Sequence, residues 1–414
     1  MSATILERSD RVMLSTFHCE AEYKMDKQTL RIRLHVYAPV HIGSGEVYDP
    51  TQFVIDSRSK KMRVFDPIQF IDSLDVDKRT LFTNLCKGNS LLSLYKFIRD
   101  NFDEKKISYR EVDMSAGLVK HYEDIMRLGT FDVEKIINQF TLNRTIALAH
   151  GNQEPYIPGS SLKGCIKTAY LSREAKEQNI VRCFDNILRS TPPHKVSSDL
   201  EKQLLGGTFS KDPFRFVKVS DLLPVRSEDS KNNVKVFYAV NHKKDPGARA
   251  TREAPGPYQI FECILPGSVF EGTLTIGEEK SALKKSEIVS DVKIEDIFES
   301  LNKYFNAKLE DERQVLKKLG VKSPIITLIN QNCKGRLTKN MFVVRLGKHS
   351  GAEAMTIDNN RRIKIMKGRG RSEFSDAATT LWFAAGSKKD YMLEHLWPFG
   401  WGVLEFPDKE IKSA

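Results

Sequence analysis

With 414 residues, 40% of them hydrophobic, the chain is long enough for two or three domains with substantial cores. It has no apolar run near the roughly 18 residues of a membrane span and no apolar N-terminal signal region. We therefore expect a cytoplasmic protein with no membrane partner. Six cysteines lie singly and nine histidines form no H-x-H or H-E-x-x-H pattern, so we expect no disulfide framework, no metal and no other cofactor.

The net charge of +11 is unevenly distributed along the chain. Residues 332–371 carry eleven Lys and Arg against two acids, and residues 231–252 carry six against one. The remainder of the chain is therefore slightly acidic. Two dense basic segments on a mildly acidic body indicate a track for a polyanion such as a nucleic acid.

The first half of the chain begins with a strand pattern over residues 28–42, in which Leu30, Ile32 and Leu34 alternate with polar residues. A glycine turn at residues 43–45 follows it. The pattern then predicts, in chain order, strands at 53–56 and 61–65, helical texture over 68–144 (amphipathic at 91–97 and 133–140), a helix from Ser160 to about Asp185, a loop at 206–209 and a strand near 218–221.

The second half predicts mostly strands. They lie at 234–240, 258–264, 270–276, 342–346 and 397–406, with a charged helical region at 281–320. Residues 241–257, rich in Lys, Arg, Gly and Pro, predict a long exposed finger between the first two strands. Two α+β sandwiches with antiparallel sheets are the simplest architecture.

The segment from Tyr156 to Thr168 is the most informative in the chain. A Pro-Gly turn leads into Ser160 and Ser161, either of which can cap a helix. Lys163 and Lys167 then lie one turn apart. Free backbone donors at the positive end of the helix dipole, together with these lysines and a glycine, suit a phosphate. The alternative is an ordinary capped helix with solvated lysines.

Four segments carry a resemblance to a known family. They are Pro39-Val40-His41-Ile42-Gly43-Ser44-Gly45 with the following Tyr48-Asp49 and Phe53-Val54-Ile55-Asp56, Ile157-Pro158-Gly159-Ser160-Ser161-Leu162-Lys163-Gly164 with Ile166-Lys167-Thr168, Arg345-Leu346-Gly347-Lys348-His349-Ser350-Gly351, and Pro398-Phe399-Gly400-Trp401. With these segments the chain resembles the RAMP proteins of CRISPR–Cas systems, and among them subunits of the Csm complex, the type III-A interference effector.

The resemblance implies an α+β fold of two ferredoxin-like (RNA-recognition-type) domains with helical insertions. The N-terminal RAMP domain would span residues 20–222 and contain a helical insertion. The C-terminal domain would span residues 223–410 and carry a basic hairpin, the thumb, and a glycine-rich loop.

The function that the resemblance implies is that of a non-catalytic RNA-binding subunit in the prokaryotic cytoplasm. It would grip and cap the 3′ part of the guide RNA and support its maturation. The implied partners are the guide (CRISPR) RNA, target RNA and other Csm complex subunits, especially the backbone RAMP subunit. An accessory or host nuclease is a further candidate partner.

The candidate RNA-binding residues are those of the motif segments and of the two basic stretches. They are His41, Ser44, Ser160, Ser161, Lys163, Lys167, His242, Lys243, Lys244, Arg249, Arg252, Arg345, Lys348, His349, Lys364, Lys367, Arg369 and Arg371. Two glycine-rich basic loops, residues 347–351 and 367–371, are open alternatives for the RNA contact. Phe237, Tyr238 and Tyr258 either stack on bases or pack in a sheet core.

The alternative function is a metal-independent, guide-RNA-processing endoribonuclease of the RAMP class. His41 would then be the general acid or base, and a second polar group would orient the ribose hydroxyl or stabilise the phosphorane. His35 is expected to be a strand-face histidine. A nucleotide-binding enzyme is set aside, because residues 347–351 match neither G-x-x-x-x-G-K-[S/T] nor G-x-G-x-x-G.

Overall fold

The structure, a computed structural model, describes residues 27–88, 90–128, 140–147, 153–178, 187–188, 190–192, 195–207, 211–225, 233–245, 258–277, 291–333, 337, 339–368, 370–388 and 396–408. Its α-helices are α1 (Pro67–Ser73), α2 (Val76–Lys87), α3 (Leu91–Asn101), α4 (Ala116–Met126), α5 (Gly159–Glu177), α6 (Val196–Leu204), α7 (Ile294–Leu319) and α8 (Ile325–Cys333). None of these helices is long and apolar enough to cross a membrane.

The strands alternate with these helices along the chain. They are β1 (Lys27–Val36), β2 (Gly43–Val47), β3 (Phe53–Asp56), β4 (Lys61–Phe65), β5 (Tyr109–Met114), β6 (Leu142–Thr145), β7 (Val217–Val219), β8 (Leu223–Pro224), β9 (Val234–Lys243), β10 (Gln259–Ile264), β11 (Val269–Gly277), β12 (Met341–Arg345), β13 (Ile363–Gly368), β14 (Arg371–Ser375), β15 (Thr380–Ala385), β16 (Trp397–Pro398) and β17 (Trp401–Glu405).

The first sheet has the strand order β12-β17-β1-β11-β7, with β8 also paired to β11. The alternation predicted for β1 is confirmed, since Leu30, Ile32 and Leu34 are buried. On the opposite face of β1, His35 donates from Nε2 to Glu405 at 2.7 Å, as a strand-face histidine should. The buried residues of this sheet form one hydrophobic core with residues of α5, α6, α7 and α8.

The second sheet has the order β2-β6-β10-β9-β5-β4-β3, with β15 paired to β9 and β16 to β15. The prediction of purely antiparallel sheets is wrong here, because β10 runs parallel to β6 and β5 runs parallel to β9. Parallel neighbours need long crossover connections. Both pairs have them, because each joins a strand from the first half of the chain to one from the second half.

Both sheets draw strands from both halves of the chain. β1 pairs with β11 and β17, and β9 pairs with β5 and β15. The division between the sheets therefore does not coincide with residue 222. Mixed α/β architecture is confirmed, and β5 and β6 correct the prediction of continuous helical texture over residues 68–144.

Several predicted segments extend beyond what the structure describes. Of the amphipathic stretch at 133–140, only residue 140 is described, and of the finger at 241–257, residues 246–257 lie outside the described residues. Residues 241–243 continue β9. The last predicted strand is two short strands, separated by a turn at Gly400, whose φ is +89°.

Candidate nucleic-acid interface

Three of the four motif segments meet in one packed junction. The loop after β12 lies against the loop after β1, where the backbone N–H of Lys348 donates to the carbonyl of His41 at 2.8 Å. The turn between β16 and β17 joins them through the N–H of Gly400, which donates to the carbonyl of Pro39 at 3.0 Å. A Cβ on Gly347 would lie 2.7 Å from the His41 carbonyl oxygen. This glycine is therefore needed for packing within the protein.

His41 is buried in this junction, with 2% of its surface exposed. Its Nδ1 donates to the carbonyl of Glu262 at 2.7 Å, which leaves Nε2 as the unprotonated nitrogen of the neutral ring. The ring stacks on Phe261 with centroids 4.2 Å apart. Burial lowers its pKa, and the charge of Lys348 lowers the pKa further. The side chain of His41 thus stays neutral and almost out of contact with solvent.

His349 joins the glycine-rich loop to the second sheet. Its backbone is left-handed, with φ +64°. The Nε2 atom donates to Oε1 of Gln259 at 2.9 Å, and the ring stacks on Trp382 with centroids 4.1 Å apart. Burial, with a smaller contribution from Lys348, lowers its pKa to about 3. The exposed side chain of this loop is Lys348, whose Nζ lies 4.9 Å from the centre of the Phe261 ring.

Arg345 is held in a buried ion pair. It is 5% exposed, and its guanidinium lies 2.6 Å from Oε2 of Glu312. Its Nε donates to the carbonyl of Phe399 at 2.9 Å. The other carboxylate oxygen of Glu312 accepts from the indole of Trp401 at 2.6 Å. These contacts place Arg345 inside the protein, between β12 and α7.

The remaining motif segment, residues 157–168, contains the start of α5. This helix begins one residue earlier than predicted, and its N-cap differs from the prediction. The N-cap is Pro158, without a side-chain cap, so the prediction that Ser160 or Ser161 caps α5 is wrong. The N–H of Gly159 instead donates to Oδ1 of Asp221 at 2.8 Å. A carboxylate thus already lies at the positive end of the helix dipole. Ser160 is exposed and Ser161 half-buried in the first turn.

The two lysines of this helix have different surroundings. Lys167 forms ion pairs with Glu201 and, at 2.8 Å, with Asp212. Burial opposes its charge, but these hydrogen bonds raise its pKa overall. Lys163 forms no ion pair within the described parts of the chain, and its pKa is lowered by burial and by the charges of Lys167 and Lys218. Lys163 therefore keeps a charge that is available to a ligand.

Gly164 lies beside Lys163 on the exposed surface of α5. A Cβ at this position would meet nothing within 4 Å, and its φ is not in the left-handed region. Glycine in a helix interior costs about 0.8–1.0 kcal/mol relative to alanine. Neither packing nor backbone geometry within the described residues calls for glycine here. The residue does leave the helix backbone open to close approach from outside.

The second glycine-rich loop is the turn of a separate hairpin made of β13 and β14. Lys364 and Arg371 are exposed, and neither forms an ion pair within the described residues. Lys367 pairs with Glu373 across the hairpin. Arg369 lies outside the described residues. Among the described residues, a Cβ on Gly370 would meet no atom within 4 Å, so nothing described covers this turn.

The hairpin also exposes apolar side chains. Met366 is 65% exposed and Phe374 is 49% exposed. The guanidinium of Arg362 lies 3.9 Å from the centre of the Phe374 ring. Cations beside an exposed aromatic ring are a combination that binds single-stranded nucleic acid.

The base of the finger is only partly available to a ligand. His242 is half-buried and packs edge-on against Phe383 at 5.4 Å, and burial lowers its pKa. Lys243 is exposed, whereas Lys244 pairs with Glu353 at 2.6 Å. Arg249 and Arg252 lie outside the described residues. Ser44 is exposed in the glycine turn, where its hydroxyl accepts from the N–H of Glu46 at 3.2 Å.

The candidate stacking aromatics divide as well. Tyr238 is 1% exposed and its hydroxyl bonds to Nδ1 of His121 at 2.8 Å, so it is a core residue. Phe237 and Tyr258 are half-buried at the edges of two hydrophobic clusters.

Sequence reasoning missed Lys218, because only the packing of β7 against α5 brings it near Lys163. Within the described residues, no group of three His, Cys, Asp or Glu is arranged to hold a metal ion.

The fold and these motifs define a class of protein. The family model of the RAMP superfamily matches residues 33–323, and the chain belongs to that superfamily. Among curated relatives it is similar to the CRISPR system Cms protein Csm5 of Methanocaldococcus jannaschii, with 26% identity over 204 residues, 48% of this chain and 44% of the relative. It is also similar to the protein of the same name from Streptococcus thermophilus, with 28% identity over 264 residues, 62% of this chain and 66% of the relative.

The matches to curated relatives are partial in length. They span between 44% and 66% of those proteins. A solved structure, described as the cryo-EM structure of a Csm–crRNA–target RNA ternary complex in a type III-A CRISPR–Cas system, contains a chain with the same fold. The TM-score is 0.58 and the identity 20%, with 91% of this chain and 100% of that chain covered.

Proposed function

We propose that this chain is a non-catalytic RNA-binding subunit of a type III-A CRISPR effector of the Csm kind. It grips and caps the 3′ part of the guide RNA, supports its maturation, and contacts target RNA and the backbone RAMP subunit. The relatives named Csm5 support this assignment, and so do the two basic segments. Two ferredoxin-like domains, residues 20–222 and 223–410, remain part of the proposal.

The observation that carries the proposal is the surface made by Lys163 and Gly164 on α5. An exposed mid-helix glycine destabilises the helix, and nothing within the described residues compensates for it. Beside it lies Lys163, which forms no ion pair within the described residues, and Lys218 adds a second charge. An RNA backbone can approach this helix closely while the lysines neutralise its phosphates. We place the phosphate on this flank, because Asp221 occupies the helix N-terminus.

Of the two glycine-rich basic loops, we assign the RNA contact to the hairpin turn at residues 367–371. Its exposed cations Lys364 and Arg371 support the assignment, and so does the open space around Gly370. In the loop at residues 347–351, Gly347 is needed for packing within the protein. Lys348 is the residue of this loop that can add a phosphate contact.

The finger at residues 241–257 is proposed as the thumb that lies across the guide RNA. The Lys244–Glu353 ion pair fixes its base, and Lys243 extends from that base as an exposed charge. We expect protease cleavage within residues 241–257 in the absence of guide RNA and protection in the assembled complex with guide RNA. Equal cleavage in both states would contradict the thumb assignment.

The central experiment compares two kinds of change on α5 in a single-stranded RNA binding assay. Gly164→Ala should raise the melting temperature, because alanine favours the helix, and yet weaken RNA binding, because its methyl group blocks close approach. Lys163→Ala should weaken binding and reduce its salt dependence by about 0.7 in log–log slope per lost phosphate contact. The matched control is Lys303→Ala, which removes an exposed helical lysine that pairs with Glu299.

Two results would overturn the proposal. One is salt-independent RNA binding or tighter binding to duplex DNA. The other is cleavage of guide precursor by the pure chain in EDTA that His41→Ala abolishes, which would replace the binding subunit by the endoribonuclease. The burial of His41 in the motif junction supports the expectation that no cleavage occurs.

A further inference from the structure

A cavity of about 290 Å³ lies at the foot of the β13–β14 hairpin, between it and the helices α5 and α6. Its walls are largely apolar and come from separate elements, with Leu171 from α5, Leu200 from α6 and Ile357 from the loop before the hairpin. Phe374 of β14 also lines it, and half of that side chain is exposed. Small-ligand sites are typically concave and apolar, with a few polar groups that fix orientation.

The cavity is continuous with the surface proposed to bind RNA. Thr168, which lines it, is one helical turn after Gly164 on the same side of α5. The two residues are in direct contact, since the Thr168 hydroxyl donates to the Gly164 carbonyl at 2.9 Å. On the far side, the cavity is lined by Arg362, whose guanidinium lies on the Phe374 ring. A strand that runs from Gly164 to the hairpin therefore passes residues that line the cavity.

The polar groups around the cavity suit the edge of a nucleobase. Asn360 is 6% exposed, and its Nδ2 donates to the carbonyl of Asp358 at 2.9 Å. This bond fixes the amide orientation, because a carbonyl can accept only from the nitrogen. The amide oxygen has no hydrogen-bond partner among the described residues. The nearby carboxylate of Glu201 is neutralised by Lys167, so it does not repel an anionic strand.

We propose that this cavity is a nucleobase pocket, which takes one unstacked base of a single-stranded RNA. The apolar walls and the Phe374 ring cover the faces of the base, and Arg362 and Lys163 neutralise the phosphates on either side of it. Recognition of splayed bases by aromatic and arginine planes is how proteins bind unpaired RNA. The inference rests on the proposed function and adds a defined position for one nucleotide.

An abasic scan tests the pocket. The full chain is titrated with a short single-stranded RNA of fixed sequence in which one nucleotide at a time lacks its base. We expect one position to lose about tenfold in affinity, as removal of a stacked base does, while the others change little. Phe374→Ala should weaken binding of intact RNA by a similar factor and flatten the scan. Leu81→Ala, a change of a similarly exposed apolar side chain (52%) on α2 and outside the cavity lining, should do neither.

A second variant fills the pocket from its wall. Val196→Phe adds an aromatic ring at a cavity-lining position and should reproduce the effect of Phe374→Ala. A wild-type chain that binds intact RNA but gives a flat scan overturns the pocket alone, whereas absence of RNA binding overturns the proposed function. If Phe374→Ala leaves the scan unchanged and weakens assembly with other subunits, the cavity is a protein-docking site and the inference is wrong.

Discussion

The two glycine-rich basic loops look alike in sequence and differ in what their glycines contact. In residues 347–351, a side chain on Gly347 would collide with the backbone of His41. In residues 367–371, a Cβ on Gly370 would meet no atom of the described residues within 4 Å. Arginine follows the same division, since Arg345 is buried with Glu312 and Arg371 is exposed. A glycine next to basic residues can therefore mark either a packed junction or an open surface.

The largest expected effect comes from removing the buried arginine. Arg345→Ala should lower the free energy of unfolding by about 3–5 kcal/mol, because it leaves the Glu312 carboxylate buried without its partner. Arg371→Ala should change it by less than about 0.5 kcal/mol, as surface substitutions usually do. Urea unfolding monitored by tryptophan fluorescence measures both. An equal loss of unfolding free energy in both variants would mean that Arg345 is no more buried and paired than Arg371.

The glycines themselves should separate the loops by a smaller amount. Gly347→Ala adds a clash with the His41 carbonyl to the strain of a left-handed residue, for a loss of about 2–4 kcal/mol. Gly370→Ala should cost only the left-handed strain, about 1–2 kcal/mol. Thermal unfolding of the two variants side by side checks this. A tolerated Gly347→Ala would show that the junction can open.

Sequence periodicity located most long strands of the fold, because their alternation depends only on near neighbours. Leu30, Ile32 and Leu34 therefore predicted the buried face of β1 correctly. Periodicity missed β5, because its six residues contain only two buried side chains, Val112 and Met114, among charged ones. Periodicity also gave no sign of the hairpin, whose side chains are mostly exposed, or of β15, whose six residues are almost all apolar and do not alternate.

The candidate site was predicted in outline but not in its charges. The residues around Lys163 and Gly164 are contiguous, so the motif identified them. However, whether a lysine can bind a phosphate depends on whether an acidic residue distant in sequence already forms an ion pair with it. Lys167 meets Glu201 and Asp212, and those contacts cannot be read from local sequence.

RNA binding should distinguish the loops in the opposite direction to stability. The double variant Lys364→Ala with Arg371→Ala should weaken binding of single-stranded RNA about tenfold at low salt, because two phosphate contacts are lost from the hairpin. Lys348→Ala, with one exposed charge on the packed loop, should have a smaller effect. Filter binding over a salt series measures both. A larger loss for Lys348→Ala would reassign the RNA contact to residues 347–351.

The smallest expected effect is a pH dependence of stability to which the packed loop contributes through His349, whereas the hairpin has no histidine. Burial lowers the pKa of His349 to about 3 in the folded protein, whereas an unfolded histidine titrates near 6.5. The folded state thus binds fewer protons, and stability is full above pH 6.5 and is lost as the pH falls from there toward 3. At pH 5.5 this loss amounts to about 1 kcal/mol from His349 alone.

His349→Asn isolates that contribution, because asparagine tolerates the left-handed backbone and does not titrate. The variant should lose less stability than the wild type between pH 7.5 and pH 5.5 in urea unfolding. Some dependence should remain, because burial also lowers the pKa values of His41 and His121. Lys364→Ala on the hairpin should keep the wild-type pH profile. An unchanged profile in His349→Asn would mean that His349 is not kept neutral by the junction, and the packed loop would then be as open as the hairpin.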